Sequence, residues 1–143
     1  IISKKKINIK KNNFLKKELL KPTKIYVTEV LNLIQNNLIN GCANITGGGI
    51  KDNLKRIIPD NLEAKINLNK IKTKKIFSWL KSNNISDSEM LRTFNCGVGY
   101  CLIVNKKKVN IVKRYFQNNF IPYTIGRIER KKRKISFEGK LRW

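Results

Sequence analysis

Asn44-Ile45-Thr46-Gly47-Gly48-Gly49 is the stretch of this chain best suited to holding an anion. It leaves a short apolar run, Cys42 to Ile45, and enters a helix-like stretch from Ile50 to Ile57, with three glycines at the corner. Consecutive glycines take positive φ without a Cβ clash, so several N–H groups can turn toward one phosphate beside a helix N-terminus. A tight turn is the plainer reading of the same residues. Neither common nucleotide fingerprint is present: the G-x-G-x-x-G spacing is missing, and no Gly-Lys-Ser/Thr follows. A second glycine-bearing loop, Thr93-Phe94-Asn95-Cys96-Gly97-Val98-Gly99, runs into the apolar segment Tyr100 to Val104. If the two strands are neighbours, the loops lie together and gather Asn44, Thr46, Arg92, Thr93 and Asn95. Neutral donors with one guanidinium suit gripping a phosphorylated ligand rather than attacking it. The chain has no histidine, so neither a Ser/His/Asp nor a Cys/His arrangement can form, and nucleophilic catalysis is not expected. Cys96 without a histidine reads as an inert thiol. Gly97 and Gly99 read as residues required by backbone geometry.

The elements that must position these loops follow from pattern. Ile1 to Leu20 is lysine-laden with little periodicity and reads as an amino-terminal arm, with the domain proper over residues 21–143. Pro22-Thr23 suits the start of a helix from about Lys24 to Leu38, whose apolar residues Val27, Val30, Leu31, Ile34 and Leu38 form one core-facing stripe. A buried strand spans Gly41 to Thr46, and the helix after the glycines closes before Pro59. Leu62 to Leu68 alternates apolar and polar, which predicts a half-buried strand with one wet face. An amphipathic helix is expected over Thr73 to Lys81. Ser86-Asp87-Ser88-Glu89 then caps a short helix to about Arg92. Lys107 to Asn119 carries Val109, Val112, Tyr115 and Phe116 at helical spacing. Tyr123 to Glu129 and Ile135 to Glu138 read as closing strands joined by a basic turn, Arg130 to Lys134. The order predicts an α/β (α+β) domain in which helices cover one mixed β-sheet.

At 143 residues the chain has the length of one domain. Its 32 Lys and Arg against 9 acids give a formal charge of +23 and a pI near 10.3. Such an excess fits a polyanion partner, and a small basic nucleic-acid-binding module is the alternative reading. Lysine, isoleucine and asparagine also share A/T-rich codons, so a low-GC genome produces this bias without a partner. Clustered bases interleaved with aromatics are missing, which makes nucleic acid the weaker expectation. Three cysteines, Cys42, Cys96 and Cys101, form no disulfide framework, no metal site is expected without histidine, and a reducing cytoplasm fits. No apolar run has the eighteen or so residues of a membrane span. The chain opens Ile1-Ile2 without Met, which suggests a fragment, a processed product or a truncated gene.

Three strings together resemble a known family. Asn44 to Gly49, then Pro59-Asp60-Asn61, then Glu89-Met90-Leu91-Arg92-Thr93-Phe94-Asn95-Cys96-Gly97-Val98-Gly99, are similar to the carboxy-terminal half of AIR synthetase, the phosphoribosylformylglycinamidine cyclo-ligases. Leu19 to Val27 resembles that family's segment between its halves. The resemblance implies ATP- and Mg²⁺-dependent closure of formylglycinamidine ribonucleotide to aminoimidazole ribonucleotide in purine biosynthesis. It also implies that an amino-terminal half, not found here, supplies the ATP site and most of a homodimer interface. Thr46 to Gly49 would then cradle phosphate, with Asn44, Arg92, Thr93 and Asn95 orienting the ligand. Two positions depart from the family: Asn44 replaces its usual histidine, and Tyr100 replaces its usual methionine. On this reading the polypeptide alone does not turn over. A selenophosphate or thiamine-phosphate relative is the sister alternative, against which the string from Arg92 to Gly99 argues.

Overall fold

A computed structural model describes residues 1–116, 121–131 and 134–143. Its elements run α1 (Asn13–Leu19), α2 (Val27–Gln35), β1 (Gly41–Asn44), α3 (Gly49–Lys55), β2 (Leu62–Asn67), α4 (Lys75–Lys81), α5 (Asp87–Thr93), β3 (Tyr100–Ile103), α6 (Val109–Tyr115), β4 (Gly126–Arg130) and β5 (Ile135–Glu138). The architecture is mixed α/β, as expected. The arm is partly helical: the Asn12 side chain accepts from the Leu15 amide at 3.0 Å and starts α1. Ser86 does the same for α5, accepting from the Glu89 amide at 3.2 Å. The end of the helix expected to reach Asn119, and Lys132 and Arg133 of the basic turn, lie outside the described residues.

The strands form two sheets rather than one. β1 pairs antiparallel with β3, placing Asn44 opposite Tyr100 and Gly41 opposite Ile103. The second sheet has the order β4-β2-β5, with β2 antiparallel to β4 and parallel to β5. Its mixed pairing matches the expectation, but β1 belongs elsewhere, so among the described residues no continuous sheet links the two units. β2 is the central strand, and the wet face that its alternation predicts is present only in part: Glu63, opposite Glu129 of β4, is buried. On the same face Lys65 and Asn67 keep partial exposure, Lys65 pairing with Glu138 at 3.0 Å.

One core serves both sheets. Ala43 and Ile45 after β1, Ile50 and Leu54 of α3, Ala64 and Ile66 of β2, Met90 of α5 and Cys96 are buried in a single cluster. A smaller cluster joins Leu33 and Leu38 to Val112 and Phe116, so α6 packs beside α2 and over Leu102 and Val104. Here the predicted α2 stripe is corrected. Leu33 is fully buried, whereas Val27, Leu31 and Ile34 are about half exposed. The helix is also shorter than expected, starting at Val27, because Tyr26 is held outside it with its ring 5.1 Å from that of Tyr100.

Candidate functional site

Chain geometry at the first glycine corner is set from beneath by Asn53, buried one turn into α3. Its side-chain amide donates to the carbonyls of Gly49 at 2.8 Å, Gly47 at 3.1 Å and Thr46 at 3.5 Å. A trans peptide points its N–H opposite its carbonyl. Turning these carbonyls inward therefore turns the amides of Gly47, Gly48 and Ile50 away from Asn53. Gly48 and Gly49 have φ of +88° and +59°, conformations that glycine enters without penalty. At Gly47 an added Cβ would meet nothing within 4 Å, so the outer side of the corner is open.

The second corner is a tight turn. Val98 N–H donates to the Asn95 carbonyl at 2.9 Å, and the central residues Cys96 and Gly97 have φ of +49° and +103°. The Asn95 side-chain oxygen accepts from the Gly97 amide at 3.0 Å, which fixes that side chain against its own loop. Gly97 is required sterically, since a Cβ there would stand 2.6 Å from the Lys72 carbonyl oxygen. Cys96 is buried, its thiol directed at the Met90 carbonyl at 3.4 Å. Burial pushes that thiol up to about 11, so it is protonated and unreactive near neutral pH. Burial, and then the contact with Cys42, push the Tyr100 hydroxyl up to about 12; it donates to the Cys42 sulfur at 3.3 Å.

The two corners meet. A Cβ on Gly49 would lie 2.0 Å from the Leu91 carbonyl oxygen and 3.1 Å from that of Phe94. Ile45 N–H donates to the Gly99 carbonyl at 3.0 Å. Thr46 to Gly49 therefore sits against the end of α5 and the start of the second loop. Asn44 and Thr46 are exposed at this end of β1. Arg92 and Thr93 are exposed on α5 and already engaged: the guanidinium pairs with Glu89 at 2.9 Å, and the Thr93 hydroxyl donates to Glu89 at 2.6 Å. The Thr93 hydrogen bond, then the Arg92 charge, hold the Glu89 carboxyl below its usual range.

Sequence reasoning overlooked Asn53 and assigned Glu89 only a capping role. Asn53 had a signal, an amide on the same helical face as Ile50 and Leu54, where a fourth apolar residue is the norm. Beside the first corner, Asp52, Lys55, Arg56 and Lys134 line an open recess of about 430 Å³. Asp52 packs against Gly48, 2.9 Å from where a Cβ would be. Among the described residues, no three His, Cys, Asp or Glu side chains are grouped to hold a metal ion.

Such an arrangement can hold and orient an anionic ligand. The class is a mixed α/β domain whose two glycine corners meet at one end of a strand pair. The chain belongs to the family described as AIR synthase related protein, C-terminal domain, which it matches over residues 1–137. It is 46 % identical over 123 residues to the phosphoribosylformylglycinamidine cyclo-ligase of Carboxydothermus hydrogenoformans, covering 85 % of this chain and 36 % of that relative. The enzyme of the same name from Alkaliphilus oremlandii is 44 % identical over 97 residues, covering 67 % and 28 %. A bifunctional purine biosynthetic protein of Dictyostelium discoideum is 45 % identical over 112 residues, covering 77 % and 14 %. The chain thus spans about a third of the cyclo-ligases it matches. Among the described residues, no helix is long and apolar enough to cross a membrane.

Proposed function

We propose that this chain is the ribonucleotide-side part of a phosphoribosylformylglycinamidine cyclo-ligase, acting in the cytoplasm within a homodimer of a longer polypeptide. The reaction is closure of formylglycinamidine ribonucleotide to aminoimidazole ribonucleotide. ATP with Mg²⁺, held outside this chain, supplies the phosphoryl group that activates the formyl oxygen. The role of these residues is positioning and charge stabilisation. The outward amides of the Thr46–Gly49 corner receive the ribonucleotide phosphate. Asn44 hydrogen-bonds the ligand by its side-chain amide, with no proton transfer assigned to it. Arg92 and Thr93 turn from Glu89 to the ligand, and Asn95 fixes the second loop beside it.

One observation carries this reading: the two corners touch at Gly49 while Gly47 faces open space. Calorimetric titration with formylglycinamidine ribonucleotide tests it. The ribonucleotide is expected to bind, and Gly47→Ala to weaken it at least about tenfold, roughly 1.4 kcal/mol, with thermal stability unchanged. Equal affinity in the variant, or no binding to either protein, refutes the cradle. Cyclo-ligase or ATPase turnover by this chain alone refutes its being one part of the enzyme.

A further inference from the structure

Lysine and arginine make up 32 of the 143 residues, yet none falls from Ile25 to Ile50, a run of 26. The next longest such run is Thr93 to Asn105, half that length. The two runs meet in space: β1 pairs with β3, and Tyr26 lies against Gly99 and Tyr100. Lysine drifts freely over the rest of the sequence, so its absence from this run is a local departure, although Glu29 lies within it and the Lys108 amine reaches the Asn37 carbonyl at the far end of α2.

Apolar side chains are exposed on that same face. Val27, Leu31 and Ile34, at i, i+4 and i+7 on α2, are 60 %, 50 % and 48 % exposed. Eight of the twelve large hydrophobics exposed among the described residues lie between Ile1 and Ile34. Scattered exposed apolar residues need no explanation, but three on one stripe of a helix do. Poor packing of α2 is not the reason, since Val30 and Leu33 anchor its other side. A polyanion would choose the lysine-rich faces instead.

We infer that the Val27–Leu31–Ile34 face of α2 is buried against the amino-terminal part of a cyclo-ligase polypeptide, which thereby forms one wall beside the glycine corners. The inference rests on the function proposed above. The occupant follows from two facts: the family is a carboxy-terminal domain, and most of the Carboxydothermus relative lies outside the match. Tyr26 begins at this face and reaches Gly99, so a partner seated on α2 stands beside the second loop.

Hydroxyl-radical footprinting of this chain and of the intact Carboxydothermus cyclo-ligase tests the assignment. Val27, Leu31 and Ile34 are expected to label readily here, and the aligned side chains of the intact relative several-fold more slowly. Equal labelling overturns the inference. Sedimentation of this chain at tens of micromolar should show a monomer; a dimer dispersed by Leu31→Lys assigns the face to a second copy and also overturns it. Footprinting reads burial, not turnover or ligand affinity. A protected face without ribonucleotide binding would refute the proposed function alone, and binding with an unprotected face would refute only this interface.

Discussion

Gly99→Ala should destabilise the chain because of a single hydroxyl group. The added Cβ would stand 2.1 Å from the Tyr26 Oη, with Cζ next at 3.2 Å and Cε2 at 3.7 Å. Gly99 does not have a positive φ, so alanine suits its backbone and the conflict is steric. The first distance is about 1 Å short of van der Waals contact, whereas the second needs only a few tenths. To admit the methyl group, Tyr26 must swing out and give up its ring contact with Tyr100, worth about 0.5–1.5 kcal/mol. With the usual overpacking cost, Gly99→Ala should lose roughly 2 kcal/mol. Tyr26→Phe removes only the hydroxyl and should lose about 1 kcal/mol. In that background Gly99→Ala should cost less than about 1 kcal/mol, giving a favourable coupling of at least about 1 kcal/mol. Urea unfolding of the four proteins measures it, and each kcal/mol should also move Tm by about 3–4 °C at this chain length. Additivity within about 0.4 kcal/mol would refute the reasoning, because Tyr26 would then not be what Gly99 makes room for.

Gly49→Ala meets the Leu91 backbone carbonyl rather than a side chain and has φ of +59°, so about 3 kcal/mol or more should be lost; a loss under about 1 kcal/mol by denaturation would contradict the close approach. Asn53→Ala removes the side-chain donor that three carbonyls share, the Thr46 carbonyl keeping the Gly49 amide, and should cost about 1–3 kcal/mol, with amide NMR shifts at Gly47, Gly48 and Ile50; unmoved resonances would show that Asn53 does not set the corner. Native alkylation at pH 8 should modify Cys42 fastest, since Cys96 and Cys101 are buried, and equal rates for all three would refute that. Burial pushes Cys96 to about 11 and Cys101 to about 12. These folded values lie above the unfolded thiol's, so the stability they contribute is complete below about pH 8.5 and is lost as pH rises toward the folded values. Each thiol should remove at most about 1.4 kcal/mol per pH unit, and a flat urea midpoint between pH 8 and 10.5 would contradict it.

Local chemistry was legible in the sequence and tertiary choice was not. The cap at Ser86, the strand Ile135–Glu138 and both glycine corners rest on residues adjacent in sequence, and they stand where expected. The α2 stripe was read in part: Val30 and Leu38 are buried as expected, but apolar residues on three sides of one helix cannot say which side meets α6, and Val27, Leu31 and Ile34 are left exposed. β2 was read in part for a related reason: alternation reports polarity, while the burial of Glu63 depends on what lies over its face of the sheet. Splitting of the sheet has no local signature, because β1 could serve either neighbour until pairing with β3 is formed. Asn53 shows how a site was half readable. The glycines announce that a backbone must bend, but which way its amides face depends on the residue that collects the carbonyls. That residue lies inside the next helix, where a polar side chain between Ile50 and Leu54 is a defect unless the loop above supplies its partners. A buried amide in the first turns of a helix that follows a glycine run is thus evidence about the run itself. Here it turns the N–H groups of Gly47, Gly48 and Ile50 away from Asn53 at a corner whose open side is at Gly47.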